Sequence, residues 1–298
     1  MARRDLDWER DGADWPNREH SRFPRAGGLS WHVQVAGGGP VLLMLHGTGG
    51  STHSWAGMLP DLAADFTVVV PDLPGHGFTS TPTDYGLSLP GMATEIAALL
   101  RELAVVPVLG VGHSAGAAIL ARMALDGTLP IQGLVSINGA FLPFGGVAGM
   151  LFSPLAKMMA MTPVLPRLFA RQHADPVVIG RLLRGTGSRL DGQAAELYRR
   201  LVGSPRHVAG ALGMMANWDL RRLEREIADL EPPTLLISCA ADRTVRPSQA
   251  VEVAARMKDA RVEALDWGGH LGHEERPLDM AALVRHFARA IGVLAPAA

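Results

Sequence analysis

The sequence predicts an α/β fold: a mostly parallel β-sheet with helices on both faces, interrupted late by an α-helical insertion. Three observations carry this. Short β-branched runs alternate with longer helical patterns over most of the 298 residues, and such alternation builds a parallel sheet whose crossover helices cover both faces. Most of the strand runs are apolar throughout, as strands buried on both faces are. Residues 141–220 break the rhythm, with no convincing strand and with prolines at Pro143, Pro154, Pro163, Pro166, Pro176 and Pro205.

In order, "LSWHVQVA" (29–36) alternates apolar and polar and reads as a strand. The runs "VLLMLH" (41–46), "FTVVVP" (66–71), "VPVLGVG" (106–112), "IQGLVSIN" (131–138), "PTLLISC" (233–239) and "ARVEALDW" (260–267) follow as buried strands. Helices are expected near 52–63, 90–103, 115–126, 247–257 and 277–291. Right-handed crossovers place the strand C-terminal ends on one edge, where sites form. The core is read as 1–140 and 221–298, with 141–220 a helical lid inserted after the strand ending near Asn138. "WDLRRLEREIADL" (218–230) leads back into the sheet.

Composition narrows the function classes. The chain is 48% hydrophobic and 19% charged, enough for a large core. A net charge of −1 gives no electrostatic footprint for nucleic acid. Cys239 is the single cysteine, so no internal disulfide can form. The polar, acidic start and the lack of a long apolar run lead to an expected cytoplasmic location with no transmembrane segment.

"LGVGHSAGAA" (109–118) contains Gly112-His113-Ser114-Ala115-Gly116, which fits G-x-S-x-G. In a chain with 34 glycines that pattern alone decides little. Its setting decides more: Ser114 lies directly after a buried strand and directly before an apolar helix, where a nucleophile elbow sits. A serine nucleophile needs a base oriented by an acid. Asp242 follows "PTLLISC", and His270 follows "ARVEALDW", in the chain order Ser, acid, His. The other common acid position, at the end of "IQGLVSIN", holds Asn138, which cannot serve. "HGTGG" (46–50) supplies a Gly-rich loop, and the N–H groups of Thr48 and Ala115 are the expected oxyanion hole. The expectation is an α/β-hydrolase with an eight-stranded sheet and a Ser114–Asp242–His270 triad.

Other residues carry lesser expectations. His53, His113, Phe141, Met158, Met214 and Trp218 are candidates for the substrate pocket. Asp72 in "PDLPGHGFTS" is expected to order its turn. The histidines show no paired ligand spacing, so neither a metal nor a cofactor is expected. The lid holds six of the thirteen methionines, and its charge is +5 against −6 for the rest of the chain. Such a lid suits an apolar or amphipathic anionic substrate, or contact with an anionic membrane surface.

The chain also resembles a narrower group. "WPNREHSRF" (15–23), "WHVQVAGGGPVLLMLHGTGGSTHSW" (31–55), "PDLPGHGFTS" (71–80), "GHSAGAAILARMALDG" (112–127), "INGAFLPFGG" (137–146), "LFSPLAKMM" (151–159), "HVAGALGMMANWDL" (207–220) and "GGHLGHEERP" (268–277) are similar to the magnesium-chelatase accessory proteins of bacteriochlorophyll biosynthesis. The resemblance spans nearly the whole chain, lid included. It implies a cytoplasmic, photosynthesis-linked protein acting near magnesium insertion into a porphyrin, with a tetrapyrrole as substrate and magnesium-chelatase subunits as partners. It carries over Ser114, Asp242 and His270 as the triad. One departure is Ala241, where hydrolases often keep glycine before the acid. Two further readings stand beside a hydrolase of an apolar ester: a non-hydrolytic porphyrin-binding accessory, and a general esterase.

Overall fold

Chain order alternates strand and helix as the sequence predicts. The computed structural model describes residues 5–143 and 175–296. The strands are β1 (Ser21–Arg22), β2 (Arg25–Ala26), β3 (Leu29–Ser30), β4 (Val33–Gly37), β5 (Val41–Leu45), β6 (Thr67–Pro71), β7 (Leu109–His113), β8 (Gly133–Ile137), β9 (Thr234–Cys239) and β10 (Ala260–Leu265). The described helices are α1 (Trp8–Asp11), α2 (Met58–Leu62), α3 (Leu89–Glu102), α4 (Ala115–Leu125), α5 (Pro176–Gly185), α6 (Gly192–Val202), α7 (Pro205–Ala216), α8 (Arg221–Glu226), α9 (Ser248–Ala254), α10 (Gly272–Glu275) and α11 (Pro277–Ala290).

Eight strands form one sheet in the order β1-β4-β6-β5-β7-β8-β9-β10. The pairs β1–β4 and β4–β6 are antiparallel, and the rest are parallel. The central strands β7, β8 and β9 are buried along their whole length. Their unbroken apolar runs are what burial on both faces requires.

The run at 29–36 does not form one strand. Leu29–Ser30 pairs with β2 in a hairpin, and Val33–Gly37 joins the main sheet. Between them the Trp31 N–H turns to Pro24 O and the His32 N–H to Thr79 Oγ1, so the ladder breaks there. The eighth strand is β1, a two-residue edge strand too short for its sequence to signal.

Two apolar layers flank the sheet. One holds α3 and α4, with Met92, Ile96 and Leu100 of the former against the latter's Ile119 and Leu120. The other joins Trp55, Met58 and Leu62 to Met280, Val284 and Phe287 of α11. Helix α4 is buried from Ala115 through Met123, so it has no polar face until its last turn. There the buried Arg122 guanidinium reaches Asp126 at 2.7 Å and Glu226 of α8 at 2.5 Å. In the segment joining β8 to β9 the described residues hold helices and no strand. Asp175, Asp191 and Ser204 cap α5, α6 and α7, each accepting a first-turn N–H. Ile179, Leu183, Leu197 and Leu201 of these helices pack on Trp15 and Leu271 of the core.

Candidate active site

The chain reverses sharply at Ser114. Its backbone is at φ 51 and ψ −116, directly between the end of β7 and the first residue of α4. That conformation costs a non-glycine residue about 1–3 kcal/mol, and such strain gathers at functional sites. The turn is possible because of its glycines. A Cβ on Gly112 would lie 2.4 Å from the Ala117 nitrogen, and one on Gly116 would lie 2.1 Å from Leu45 O. The middle serine is partly open to solvent while its neighbours are buried. Gly116→Ala is therefore expected to destabilise the fold by about 3 kcal/mol. Chemical denaturation checks this; an unchanged midpoint would mean that helix and strand can separate without penalty.

Asp242 and His270 arrive from the next strand ends and meet. His270 Nδ1 donates to Asp242 Oδ2 at 2.8 Å, and both side chains are buried. The other carboxylate oxygen accepts the Thr244 N–H at 2.7 Å and the Val245 N–H at 2.9 Å. With its Nδ1 proton so engaged, the imidazole keeps Nε2 as a free base. Among the described residues Ser114 Oγ forms no hydrogen bond to the His270 ring; nucleophile–base contacts of this kind commonly tighten on substrate binding.

The expected oxyanion donors are unspent. Among the described residues neither the Thr48 N–H nor the Ala115 N–H has an acceptor. The loop that holds Thr48 is braced on both sides. His46 Nδ1 donates to Gly47 O and its Nε2 accepts the Leu73 N–H. His207 of α7 donates from Nε2 to Gly49 O at 3.2 Å and accepts the Gly77 N–H at Nδ1. Sequence reasoning did not single out His207, although it opens one of the stretches that carry the resemblance.

The pocket candidates are placed unevenly. His113 points away from the opening: 3% exposed, it donates from Nε2 to His270 O at 2.9 Å and braces that loop. His53 is equally buried, pairing Nδ1 with Ser51 Oγ and packing between Trp15 and Tyr198. Phe141 and Met214 are buried in the core, and Trp218 packs against it half-buried. Thr48 Oγ1 contacts Met214 Sδ at 3.3 Å, which puts this methionine against the glycine-rich loop. Met158 lies outside the described residues.

Asp72 organises the neighbouring turn, accepting from His32 Nδ1, the Thr52 N–H and the Phe78 N–H. Burial opposes its ionisation, but adjacent His32 and the backbone donor outweigh that, and the carboxyl is held well below its ordinary range. Two more residues escaped sequence reading. Thr186 O accepts the His270 N–H and the Arg243 N–H, while Ser188 Oγ accepts the Leu271 N–H at 2.8 Å. A short "TGS" turn between helices carries no signal that it will touch the acid and histidine loops.

Among the described residues no group of three or more His, Cys, Asp or Glu side chains is placed to hold an ion. Burial pushes the Cys239 thiol up to about 11, so it stays protonated. No described helix is long and apolar enough to cross a membrane.

An elbow serine, an acid–histidine pair and a glycine loop at one edge of a β-sheet define a class, and the comparisons agree on it. A family model of the alpha/beta hydrolase fold matches residues 40–277, and the chain belongs to that family. More particularly, it is 39% identical over 264 residues to the magnesium-chelatase 30 kDa subunit of Rhodobacter capsulatus, covering 88% of this chain and 92% of that one. It is also 29% identical over 268 residues to pyrrolizixenacetamide deacetylase of Xenorhabdus hominickii, covering 85% and 92%. Among solved structures, the epoxide hydrolase CorEH superposes with a TM-score of 0.78 at 20% identity, covering 91% of this chain and 99% of that one; it shares the fold. A deacetylase is thus among the chain's relatives in sequence, beside a protein named for magnesium chelatase.

Proposed function

We propose that this protein is a serine hydrolase in which Ser114 is the nucleophile, His270 its general base and Asp242 the acid that orients the base. The observation that carries the reading is the 2.8 Å bond from His270 Nδ1 to Asp242 Oδ2 at the sheet edge where the strained Ser114 turn opens. His270 Nε2 takes the Ser114 proton as Oγ attacks a carbonyl carbon, and the Thr48 and Ala115 N–H groups receive the oxyanion. Collapse of the tetrahedral intermediate expels the leaving group, which takes that proton from the imidazolium. Water, deprotonated by the same ring, then releases the acid and frees Ser114.

The substrate we propose is an apolar ester or a related acyl derivative, with a tetrapyrrole ester first among those to try. The methionine-rich segment and the name of the R. capsulatus relative support this choice, together with action beside magnesium chelatase in the cytoplasm. The division into a core at 1–140 and 221–298 and a lid at 141–220 belongs to the same proposal.

A fluorophosphonate serine probe tests the mechanism, read by intact mass on the wild type, Ser114→Ala and His270→Ala. One adduct on the wild type and none on either variant is the expected result. An unlabelled, folded wild type would sink the hydrolase reading and make porphyrin binding, followed by tryptophan quenching, the next measurement.

A further inference from the structure

Asn138 directly follows β8, at the position where a related site could have carried its acid, and both polar atoms of its side chain are engaged. The residue is 4% exposed and sits at φ 48, a left-handed conformation that asparagine tolerates better than most residues. Its Oδ1 accepts the N–H of Cys239, three residues before Asp242, at 2.9 Å. Its Nδ2 donates to Gly269 O and to His270 O, each at 3.0 Å. Its own N–H donates to Ile237 O in the neighbouring strand. One amide therefore joins the loop that carries the acid to the loop that carries the base. It cannot flip, because the two carbonyls need donors and the Cys239 N–H needs an acceptor.

We propose that Asn138 is the positioning residue of the Asp242–His270 pair, setting the distance between their loops; this rests on the serine-hydrolase reading above. The His270 backbone is gripped from both sides. Asn138 and His113 hold its carbonyl, and Thr186 O accepts its N–H. Only the ring remains free to turn, and Asp242 aims it. Aspartate is the isostere that breaks the arrangement. Its carboxylate would face two carbonyl oxygens and lose both donated bonds, whereas its protonated form regains one donor.

The test is Asn138→Asp, scored by the rate constant for fluorophosphonate labelling of Ser114 between pH 6 and 9, always as a ratio to wild type. A loop shift of about 1 Å predicts a loss of about 100-fold at pH 8. The ratio should recover at least about tenfold toward pH 6, as the new carboxyl takes up its proton and donates again. Wild-type rates at pH 8, or a deficit that is the same at every pH, would overturn the proposal.

Asn138→Ala serves if the aspartate variant does not fold. Its readout is the low-field proton resonance of His270 Nδ1–H, expected to shift or vanish while the melting temperature shows a folded protein. An unchanged resonance overturns the proposal. That signal does not depend on Ser114, so an unlabelled wild type with a sensitive His270 resonance would defeat the hydrolase reading and leave the positioning role standing.

Discussion

Ser114→Ala is expected to lower hydrolysis of a p-nitrophenyl ester by a factor on the order of 10⁴–10⁶, with the fold intact. In serine hydrolases the loss of the nucleophile or of its base alone removes nearly all that the triad contributes, since each needs the other. Asp242→Asn should cost on the order of 10⁴-fold, because an amide in place of the carboxylate favours the wrong His270 tautomer. A companion variant separates chemistry from strain. Ser114→Gly should be equally inactive, yet glycine adopts the φ of 51 without penalty. It should melt higher than Ser114→Ala, by the relief of about 1–2 kcal/mol of backbone strain. Ester hydrolysis that survives Ser114→Ala would place the nucleophile elsewhere.

The second large effect is acid unfolding. Burial pushes His46 and His273 down to about 3, and His53 and His76 to about 4. His113 and His207 are lowered in the same way, with neighbouring histidines adding to the effect of burial. These rings are neutral in the fold near pH 7, and in the unfolded chain they titrate near 6.5. A depressed folded value means stability that is fully present above about pH 6.5 and lost as pH falls toward the folded values. Each proton taken up only by the unfolded chain is worth about 1.4 kcal/mol per pH unit. Six together approach about 8 kcal/mol per unit, comparable to the whole stability of a typical protein.

Glu274 works in the opposite direction. Burial raises its carboxyl to about 7 even though Tyr198 donates to it at 2.6 Å. A raised value means stability that is fully present below about pH 4.5 and lost as pH rises through about 7. One such group cannot offset six rings, so melts followed by circular dichroism should show steep, cooperative loss of the fold between pH 6.5 and 4. A melting temperature that stays flat to pH 4.5 would mean that the rings accept protons in place.

Much of the fold was legible because it rests on local rules. Buried parallel strands must be apolar throughout, and helix starts carry caps, as Ser88 does for α3. The run at 29–36 was misread because long-range bonds to Pro24 and Thr79 split it, which strand propensity does not register. From the sequence, His113 points away from the elbow, and His53 either lines a pocket or caps a helix start. Folding placed His113 behind the His270 loop and His53 between aromatic rings.

The sequence by itself determined the alternation of strands and helices, the turn at Ser114 and the candidates Asp242 and His270, since each follows from residue type and from place after a strand. Only the tertiary structure decided what holds those candidates in register. Asn138, His207, Thr186 and Ser188 reach across 57 to 158 residues of chain to grip the loops of Asp242, His270 and Thr48. An amide or hydroxyl has no periodicity and no neighbour rule, so its partner is set by which loops the packed sheet brings within 3 Å. That is information the chain acquires when it folds.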